Sequence, residues 1–428
     1  MQTIVLSVKC DFSDSDTMTR TDHPATDLVL RALLCAMFFV FAMTTDAVGS
    51  IIPLIIDEFH LTLSQASAFQ YATMGAIALG AVVFGSLSEK LGRKATIVIG
   101  LCAYSAACLA FLAGNSFAIF TALLALGGVG IAVFKVGALA LLGDISPTQS
   151  RHTSTMNLIE GFFAVGAIAG PALVATLIAA GMHWKYLYAI AATVCALLVV
   201  IAAATPFPRR LSVRHEHANV WRTLSLARDP HALGFAVLIM LYVGIETAVY
   251  VWMPTFLKLG TPSAMSAWAL SVFFIFRAIG RFFGAWLLTR LSWQATLGVF
   301  SVAILACFAG SLLGGPAYAA YLLPISGLFM SVMYPSLNSK GISGFARHDH
   351  AAVAGLILFF TAIAAAAAPL AMGAVGDAFG GVGAGFGLAT AWAALLAAAL
   401  IYNWLRDPAG GRLARIEAET ASAAAPLS

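Results

Sequence analysis

Apolar stretches long enough to cross a lipid bilayer recur along almost the whole chain. A membrane-spanning helix needs about 20 mostly apolar residues, and the sequence contains about twelve such runs. They lie near residues 30–56, 66–88, 95–113, 117–142, 155–181, 186–207, 231–257, 265–289, 294–315, 318–343, 350–375 and 383–405. Only 10% of the residues are charged, whereas a soluble domain carries roughly 25%. The pattern predicts an all-α membrane protein with twelve transmembrane helices and no soluble domain between them.

The basic residues fall almost entirely in one set of loops and tails. That set contains Lys90, Arg93, Lys94, Arg151, Arg209, Arg210, Arg214, Arg222, Arg228, Arg290, Arg347, Arg406, Arg412 and Arg415. The loops on the other side hold only Lys185 and Lys258. Because short cytoplasmic loops are enriched in Lys and Arg, we expect both termini to be cytoplasmic. The predicted location is the inner membrane, as a multi-pass protein.

The two halves of the chain carry similar landmarks about 200 residues apart, which indicates duplicated halves. Three pairs of residues share this displacement: Pro53 with Pro254, Gly85 with Gly284, and Pro171 with Pro369. We therefore predict a polar tail over 1–28, a six-helix bundle over 29–207, a basic cytoplasmic linker over 208–230, a second bundle over 231–405 and a tail over 406–428. A parallel repeat of this kind places a substrate site between the halves, near the middle of the membrane.

A short charged turn follows the second apolar run. It reads Gly85-Ser86-Leu87-Ser88-Glu89-Lys90-Leu91-Gly92-Arg93-Lys94. The turn resembles the G-x-L-a-D-r-x-G-R-K signature of the major facilitator superfamily, with Glu89 in place of the usual Asp. The resemblance implies the major facilitator fold, in which two pseudo-symmetric six-helix bundles alternate access to a central site. We expect Gly85, Glu89 and Arg93 to act at the inner gate, through contacts with neighbouring helix ends.

Further short segments resemble the fucose/glucose/galactose proton-symporter branch of that superfamily. They are Ile51-Ile52-Pro53 with Phe59, Met156-Asn157-Leu158, Gly166-Ala167-Ile168, Tyr242-Val243-Gly244, Ile279-Gly280-Arg281-Phe282, Phe329-Met330-Ser331 with Tyr334-Pro335, and Gly373 with Asp377. Two positions depart from the branch. Its sugar–proton members typically carry an acid four residues before the span 1 proline, where this chain has Gly49, and another in span 4, where it has Lys135. The resemblance therefore does not carry over the sugar specificity or the usual proton sites.

Ionisable residues inside the apolar runs are the first candidates for function, because each costs about 2.5 to 3.5 kcal/mol at the centre of a bilayer. Asp46 and Glu246 occupy matching points of the repeat, 200 positions apart. We predict that both face the central cavity and couple transport to protons. An alternative for Glu246 is a structural ion pair with Arg277, which lies at the same depth. Without that partner, Arg277 would offer a planar cation to a carboxylate or phosphate.

A second group of polar residues lies in spans 4, 5, 8 and 10. Lys135 and Glu160 have equal depth on consecutive helices, so we expect an ion pair; alternatively, Lys135 binds a substrate anion or takes part in coupling. The predicted substrate-binding residues are Lys135, Asn157, Glu160, Arg277, Tyr334 and Asn338. Arg281 is interpreted as a gating or packing residue rather than a ligand. Lys340, near the end of span 10, can extend to the membrane interface.

These features predict a secondary transporter, not an enzyme, that moves a sugar-like solute or a small organic acid with proton coupling. Lys135 and Arg277 favour an anionic solute. A proton-driven exporter of a drug-like or siderophore-like compound is the alternative, since Gly166-x-x-x-Gly170-Pro171 resembles part of the antiporter motif of drug exporters. A transporter-shaped sensor is a third class, and the intact charged turn argues against it.

Cofactors are not expected. The six cysteines show no C-x-x-C or metal-ligand spacing, and no segment resembles a nucleotide-binding loop. The predicted partners are the small-molecule solute, protons and membrane lipid, without nucleic acid, and the protein is expected to be a monomer.

Overall fold

A computed structural model describes residues 24–85, 87–146, 149–208, 225–260, 263–346 and 349–424. Within these ranges, eleven helices are long and apolar enough to cross a membrane. One of them, Trp293–Ser343, has 51 residues and is far too long for a single crossing of about 20 residues. It contains spans 9 and 10, so the helices correspond to the twelve predicted spans. Most of the predicted linker 208–230 lies outside the described residues.

The first half of the chain supplies spans 1 to 6. Span 1 consists of two helices, and a short helix precedes span 2. The bounds are Pro24–Thr45 and Val48–Phe59 for span 1, Leu63–Ala66 and Ala68–Val83 for span 2, Arg93–Ala113 for span 3, Phe117–Asp144 for span 4, Gln149–Ala179 for span 5 and Tyr186–Ala204 for span 6. The charged turn forms the short helix Leu87–Leu91 between spans 2 and 3.

The second half supplies spans 7 to 12 and one further helix. The bounds are Pro230–Thr247, a π-helical turn Ala248–Trp252 and Met253–Leu257 for span 7, Ala264–Leu288 for span 8, Trp293–Met330 for span 9 and the first part of span 10, Met333–Ser343 for the rest of span 10, His350–Ala378 for span 11 and Val382–Arg406 for span 12. The chain reverses between spans 9 and 10 at Gly315, whose φ of 72° lies in the left-handed region that glycine tolerates best. Gly310 therefore lies against Leu322 across the reversal.

Helix contacts within each half are extensive. In the first half span 1 packs on span 5, and span 4 packs on spans 2 and 3; in the second half span 12 packs on the long helix Trp293–Met330, and span 7 packs on span 11. The two halves meet through spans 5 and 8, spans 2 and 11, and spans 1 and 7. We call the side of the membrane that carries the basic loops the basic side, and the other the opposite side.

A helix follows span 12 where the sequence predicts only a tail. It covers Gly410–Ala424, and Arg412 holds its start against the bundle. The Arg412 guanidinium donates two hydrogen bonds of 2.9 Å to the Asp229 carboxylate, donates to the Gly344 carbonyl, and stacks on the Phe345 ring. The helix is thereby joined to the start of span 7 and the end of span 10.

Candidate functional site

Span 1 and span 7 both lose regular helical geometry close to the two acids predicted to face the cavity. Span 1 breaks at Asp46, between Thr45 and Val48, and the Thr44 and Thr45 hydroxyls donate to carbonyls one turn earlier. Such back-bonding weakens and bends a helix. In span 7, Glu246 lies two residues before the π-helical turn Ala248–Trp252, a feature that is common at functional sites. The two acids that the sequence places 200 positions apart therefore each lie at or near an irregular stretch of helix.

Glu246 forms an ion pair with Arg277 of span 8. The distance from Arg277 Nη2 to Glu246 Oε1 is 2.5 Å, and the Glu246 residue is only 7% exposed. The Tyr242 hydroxyl, one turn earlier, lies 3.0 Å from the same carboxylate oxygen and 2.9 Å from the Met330 carbonyl. Of the two sequence interpretations of Glu246, the structure therefore shows the paired arrangement.

Asp46 lies beside this pair but is not bonded to it. Its Oδ2 atom is buried without a hydrogen-bond partner, and so is Arg277 Nε. Asp46, Glu246 and Arg277 lie within electrostatic range of one another. We call these three residues the charge cluster. An acceptor and a donor that both lack partners, in one cluster, are a costly arrangement unless another state of the protein satisfies them.

A cavity of about 910 Å³ opens between the halves towards the basic side. It brings together five of the residues that the sequence singles out, from spans 5, 8 and 10: Asn157, Glu160, Arg277, Arg281 and Tyr334. Lys340, interpreted from sequence as an interfacial residue, also lines it. Asn338 is half-buried and lies outside the lining, as do Asp46, Lys135 and Glu246. The charge cluster therefore contributes Arg277 alone to the cavity wall.

Lys135 does not form the ion pair with Glu160 that equal depth suggested. Its ammonium lies over aromatic rings of span 1, 4.9 Å from the centroid of Phe41 and 5.8 Å from that of Phe38. Glu160 acts on it only electrostatically, over a longer distance. Cation–π contacts of this kind stabilise a desolvated ammonium by about 2 kcal/mol. The direction of a side chain around the helix axis, which decides its neighbours, is not visible in the sequence.

Gly49, which replaces the acid typical of the symporter branch, packs against the backbone of span 7. A Cβ atom at this position would collide with the Tyr250 carbonyl. The close approach of spans 1 and 7 therefore leaves no space for a side chain, and the nearest acid in this chain is Asp46, at the helix break.

On the opposite side, polar contacts hold the halves together. Lys258, at the end of span 7, forms an ion pair with Asp57 of span 1 and donates to the Pro53 carbonyl at 3.3 Å. Asp377, at the end of span 11, accepts hydrogen bonds from the backbone N–H groups of Leu63 and Ser64 at 2.8 and 2.9 Å, and from the Ser64 hydroxyl at 2.5 Å. The structure is thus closed on the opposite side and open on the basic side.

On the basic side, the charged turn is tied to the end of span 4. Arg93 Nε donates to the Asp144 carboxylate at 2.8 Å, and its Nη1 donates to the Ser88 carbonyl at 3.1 Å. Gly85 lies in the turn before the short helix that contains Glu89. Asp144 was missed by sequence reasoning, although an acid at the end of an apolar run opposite a basic loop is a usable signal. Tyr242, Asp57 and Asp377 were also not singled out as contacts of the site or its gate.

The fold and the cavity define a class: membrane carriers of two six-helix halves with a site between them. The chain belongs to the Major Facilitator Superfamily, whose family model matches residues 34–369. Among curated proteins it is 25% identical to the L-fucose-proton symporter of Escherichia coli over 386 residues, which cover 82% of this chain and 87% of that protein. It is 27% identical to the glucose/galactose transporter of Brucella abortus over 374 residues, covering 81% and 87%.

Solved structures show the same fold. A bacterial homologue of the human lysosomal transporter Spinster, in an inward-facing and unoccupied conformation, superposes with a TM-score of 0.75 at 13% identity and covers 92% of this chain and 99% of its own. The transporter FucP in its outward conformation gives a TM-score of 0.57 at 23% identity, with 88% and 99% coverage.

Proposed function

We propose that the protein is a proton-coupled secondary active transporter of a small polar solute, which works by alternating access. The observation that carries the proposal is the charge cluster, in which Asp46, whose buried Oδ2 atom has no hydrogen-bond partner, lies within electrostatic range of the Glu246–Arg277 ion pair. The present structure corresponds to the state open on the basic side, which the distribution of Lys and Arg assigns to the cytoplasm of the inner membrane.

The cluster provides a physical link between a proton and the conformation. Asp46 belongs to the first half, whereas Glu246 and Arg277 belong to the second. When Asp46 carries a proton it is neutral, and Arg277 remains with Glu246 inside the second half. When Asp46 loses the proton, its carboxylate competes for Arg277, and a bond from Arg277 Nε to Asp46 Oδ2 would satisfy both unpartnered atoms. That bond would join the halves, so protonation changes the relative free energy of the conformations.

The solute class follows from the cavity and from the relatives. Asn157, Tyr334 and Ser336 offer hydrogen-bonding groups to hydroxyls, as a site for a sugar-like solute requires. The matched relatives are named for L-fucose, glucose and galactose. A sugar-like solute or a small organic acid is therefore proposed for this chain.

The exporter alternative has no specific structural support. A Cβ atom at Gly166 would meet the Phe39 carbonyl, and one at Gly170 would meet the Met43 carbonyl. Both glycines thus allow spans 1 and 5 to approach closely, which accounts for the resemblance to the antiporter motif without an exchange function.

Transport in proteoliposomes tests the proposal. An acid-outside gradient should drive accumulation of a solute from a panel that contains L-fucose, D-glucose, D-galactose and their acid derivatives. Asp46→Asn should abolish gradient-driven accumulation while exchange of labelled solute across the membrane continues, because the variant mimics the protonated state permanently. Asp407→Asn is a matched control on the basic side, where Asp407 has a left-handed φ of 42° that Asn also tolerates. Undiminished accumulation by Asp46→Asn would show that Asp46 is not the proton site.

A further inference from the structure

Arg281 is a cation of the cavity wall. Among the described residues it forms no ion pair; Glu160 and Glu246 act on it only electrostatically. It lies one helical turn from Arg277, towards the basic side, and lines the same cavity. Arg277 differs, because Glu246 occupies its guanidinium at 2.5 Å. The two neighbouring arginines are therefore not equivalent, and Arg281 is the one available to a ligand.

The position of Arg281 is fixed by close packing. At the preceding residue, Gly280, a Cβ atom would collide with the Leu328 carbonyl and the Ser331 hydroxyl of span 10. This contact holds the turn of span 8 that carries Arg281 against span 10, which also supplies Tyr334 to the cavity wall. A guanidinium presented from a rigidly packed helix is preorganised, which favours binding with little loss of conformational entropy.

The charges of the cavity wall do not balance. Three cations line it, Arg277, Arg281 and Lys340, and one acid, Glu160. Glu246 neutralises Arg277 from behind the wall, and Asp46 adds no charge while it carries its proton. Among the described residues, Arg281 and Lys340 then face Glu160 alone, and one positive charge is in excess. A cleft with excess charge between low-dielectric walls concentrates ions of the opposite sign. The imbalance matches a ligand with a single negative charge.

We propose that the solute is a small hydroxylated monocarboxylate, such as a sugar acid, whose carboxylate is bound by Arg281. A guanidinium can donate two parallel hydrogen bonds to a carboxylate. Asn157, Tyr334 and Ser336 bind the hydroxyl groups, and Lys340 attracts the anion into the cavity. This inference rests on the proposed transport function and narrows its substrate class. It also revises the interpretation of Arg281 as a gating residue.

Two matched pairs of probes test the carboxylate directly: D-galacturonate with D-galactose, and D-glucuronate with D-glucose. The members of each pair have the same ring and differ at one carbon, which is a carboxylate or a hydroxymethyl group. Binding to the detergent-solubilised protein is measured by thermal stabilisation, and transport by counterflow in proteoliposomes. We expect an acid to bind at least about tenfold more tightly than its neutral partner, because hydrogen bonds to charged groups are worth about 1.5 to 3 kcal/mol.

Substitutions of two arginines, one in span 8 and one just after it, test whether Arg281 causes the tighter binding of the acid. Arg281→Gln should lower the affinity for the acid to that of the neutral sugar and leave the neutral sugar unchanged. Arg281→Lys should give an intermediate affinity, because it keeps the charge and loses the fork of donors. Arg290→Gln is the matched control: Arg290 follows the end of span 8, lies beside the Trp286 ring and is outside the cavity wall.

The outcomes separate the inference from the proposed function. Transport of the neutral sugars with equal or greater affinity than the acids overturns the inference and leaves the transporter intact. Equal losses for both members of a pair in Arg281→Gln show a gating residue and also overturn it. Acid transport that depends on Arg281 but not on a proton gradient supports the inference and refutes proton coupling. Absence of movement of every probe overturns both.

Discussion

Asp377 provides the sharpest test of how the opposite side is kept closed. Its carboxylate accepts three hydrogen bonds from the start of span 2, two from the N–H groups of Leu63 and Ser64 and one from the Ser64 hydroxyl. Because Asp377 belongs to the second half and its donors to the first, all three bonds must break when this side opens. Asp377→Ala should therefore shift the equilibrium towards the state open on the opposite side.

The magnitude follows from the number of bonds and their exposure. A net contribution of about 0.5 kcal/mol per bond, the lower end of the usual range, is appropriate because these bonds are exposed to solvent. Three bonds give about 1.5 kcal/mol, which corresponds to a shift of about tenfold in the equilibrium constant. Ser64→Ala removes one of the three and should shift the constant about two- to threefold.

The distance between spin labels on the opposite side measures the shift. Asn115, before span 4, and Leu313, before the reversal at Gly315, are exposed positions in different halves. Both residues are replaced by cysteine, in a variant without reactive native cysteines, and are spin-labelled. Double electron–electron resonance spectroscopy then gives the populations of short and long distances between the labels. The long-distance population should increase in the order wild type, Ser64→Ala, Asp377→Ala. Identical distributions in all three proteins would refute the argument that these bonds stabilise closure.

Two further predictions concern backbone packing and the terminal helix. Gly49→Ala should disfavour the closed contact with the Tyr250 carbonyl, and the same spin-label distance should lengthen; an unchanged distance would mean that this contact accommodates a methyl group without opening. Burial raises the pKa of Asp229, but hydrogen bonds from Arg412 and from the backbone N–H of Ala232 outweigh it and hold the pKa below its usual value. The stabilisation is therefore fully present above the unfolded pKa of about 4 and lost as the pH falls through the lower folded value. Arg412→Ala should lower the unfolding temperature at pH 7. The loss that comes from the ion pair is about 1 kcal/mol or less in free energy, since the pair is partly exposed. The difference should shrink in strong acid to the part contributed by the Gly344 carbonyl and the Phe345 ring; a difference that does not change with pH would show that the ion pair contributes nothing.

The repeat is a property of the sequence, whereas the helix irregularities are visible only in the structure. The displacement of 200 positions places Asp46 and Glu246 at equivalent points; the structure shows a helix break at Asp46 and a π-helical turn two residues after Glu246. Nothing in the apolar pattern predicts the break at Asp46, although the polar run Thr44-Thr45-Asp46 offers side chains that compete with helical hydrogen bonds. The π-helical turn after Glu246 has no comparable signal.

Partner choice within the membrane depends on the tertiary structure. The sequence left Glu246 open between a pair with Arg277 and a free role, and the structure shows the pair. Lys135 was expected to contact Glu160, whereas it lies on the rings of Phe41 and Phe38. Successive residues of a helix point about 100° apart, so an error of one or two residues in a predicted helix directs a side chain to a different neighbour.

The sequence by itself determines that the chain spans the membrane, and it predicts which loops share a side and where the repeat falls. The spans and loops follow from the cost of placing polar groups in hydrocarbon, which acts on each residue according to its depth alone. Only the tertiary structure decides which charges meet, which of two arginines remains available and which side is open. Those properties depend on distances and directions between helices that lie far apart in the chain. The alternative arrangements differ in free energy by only the contribution of a few hydrogen bonds.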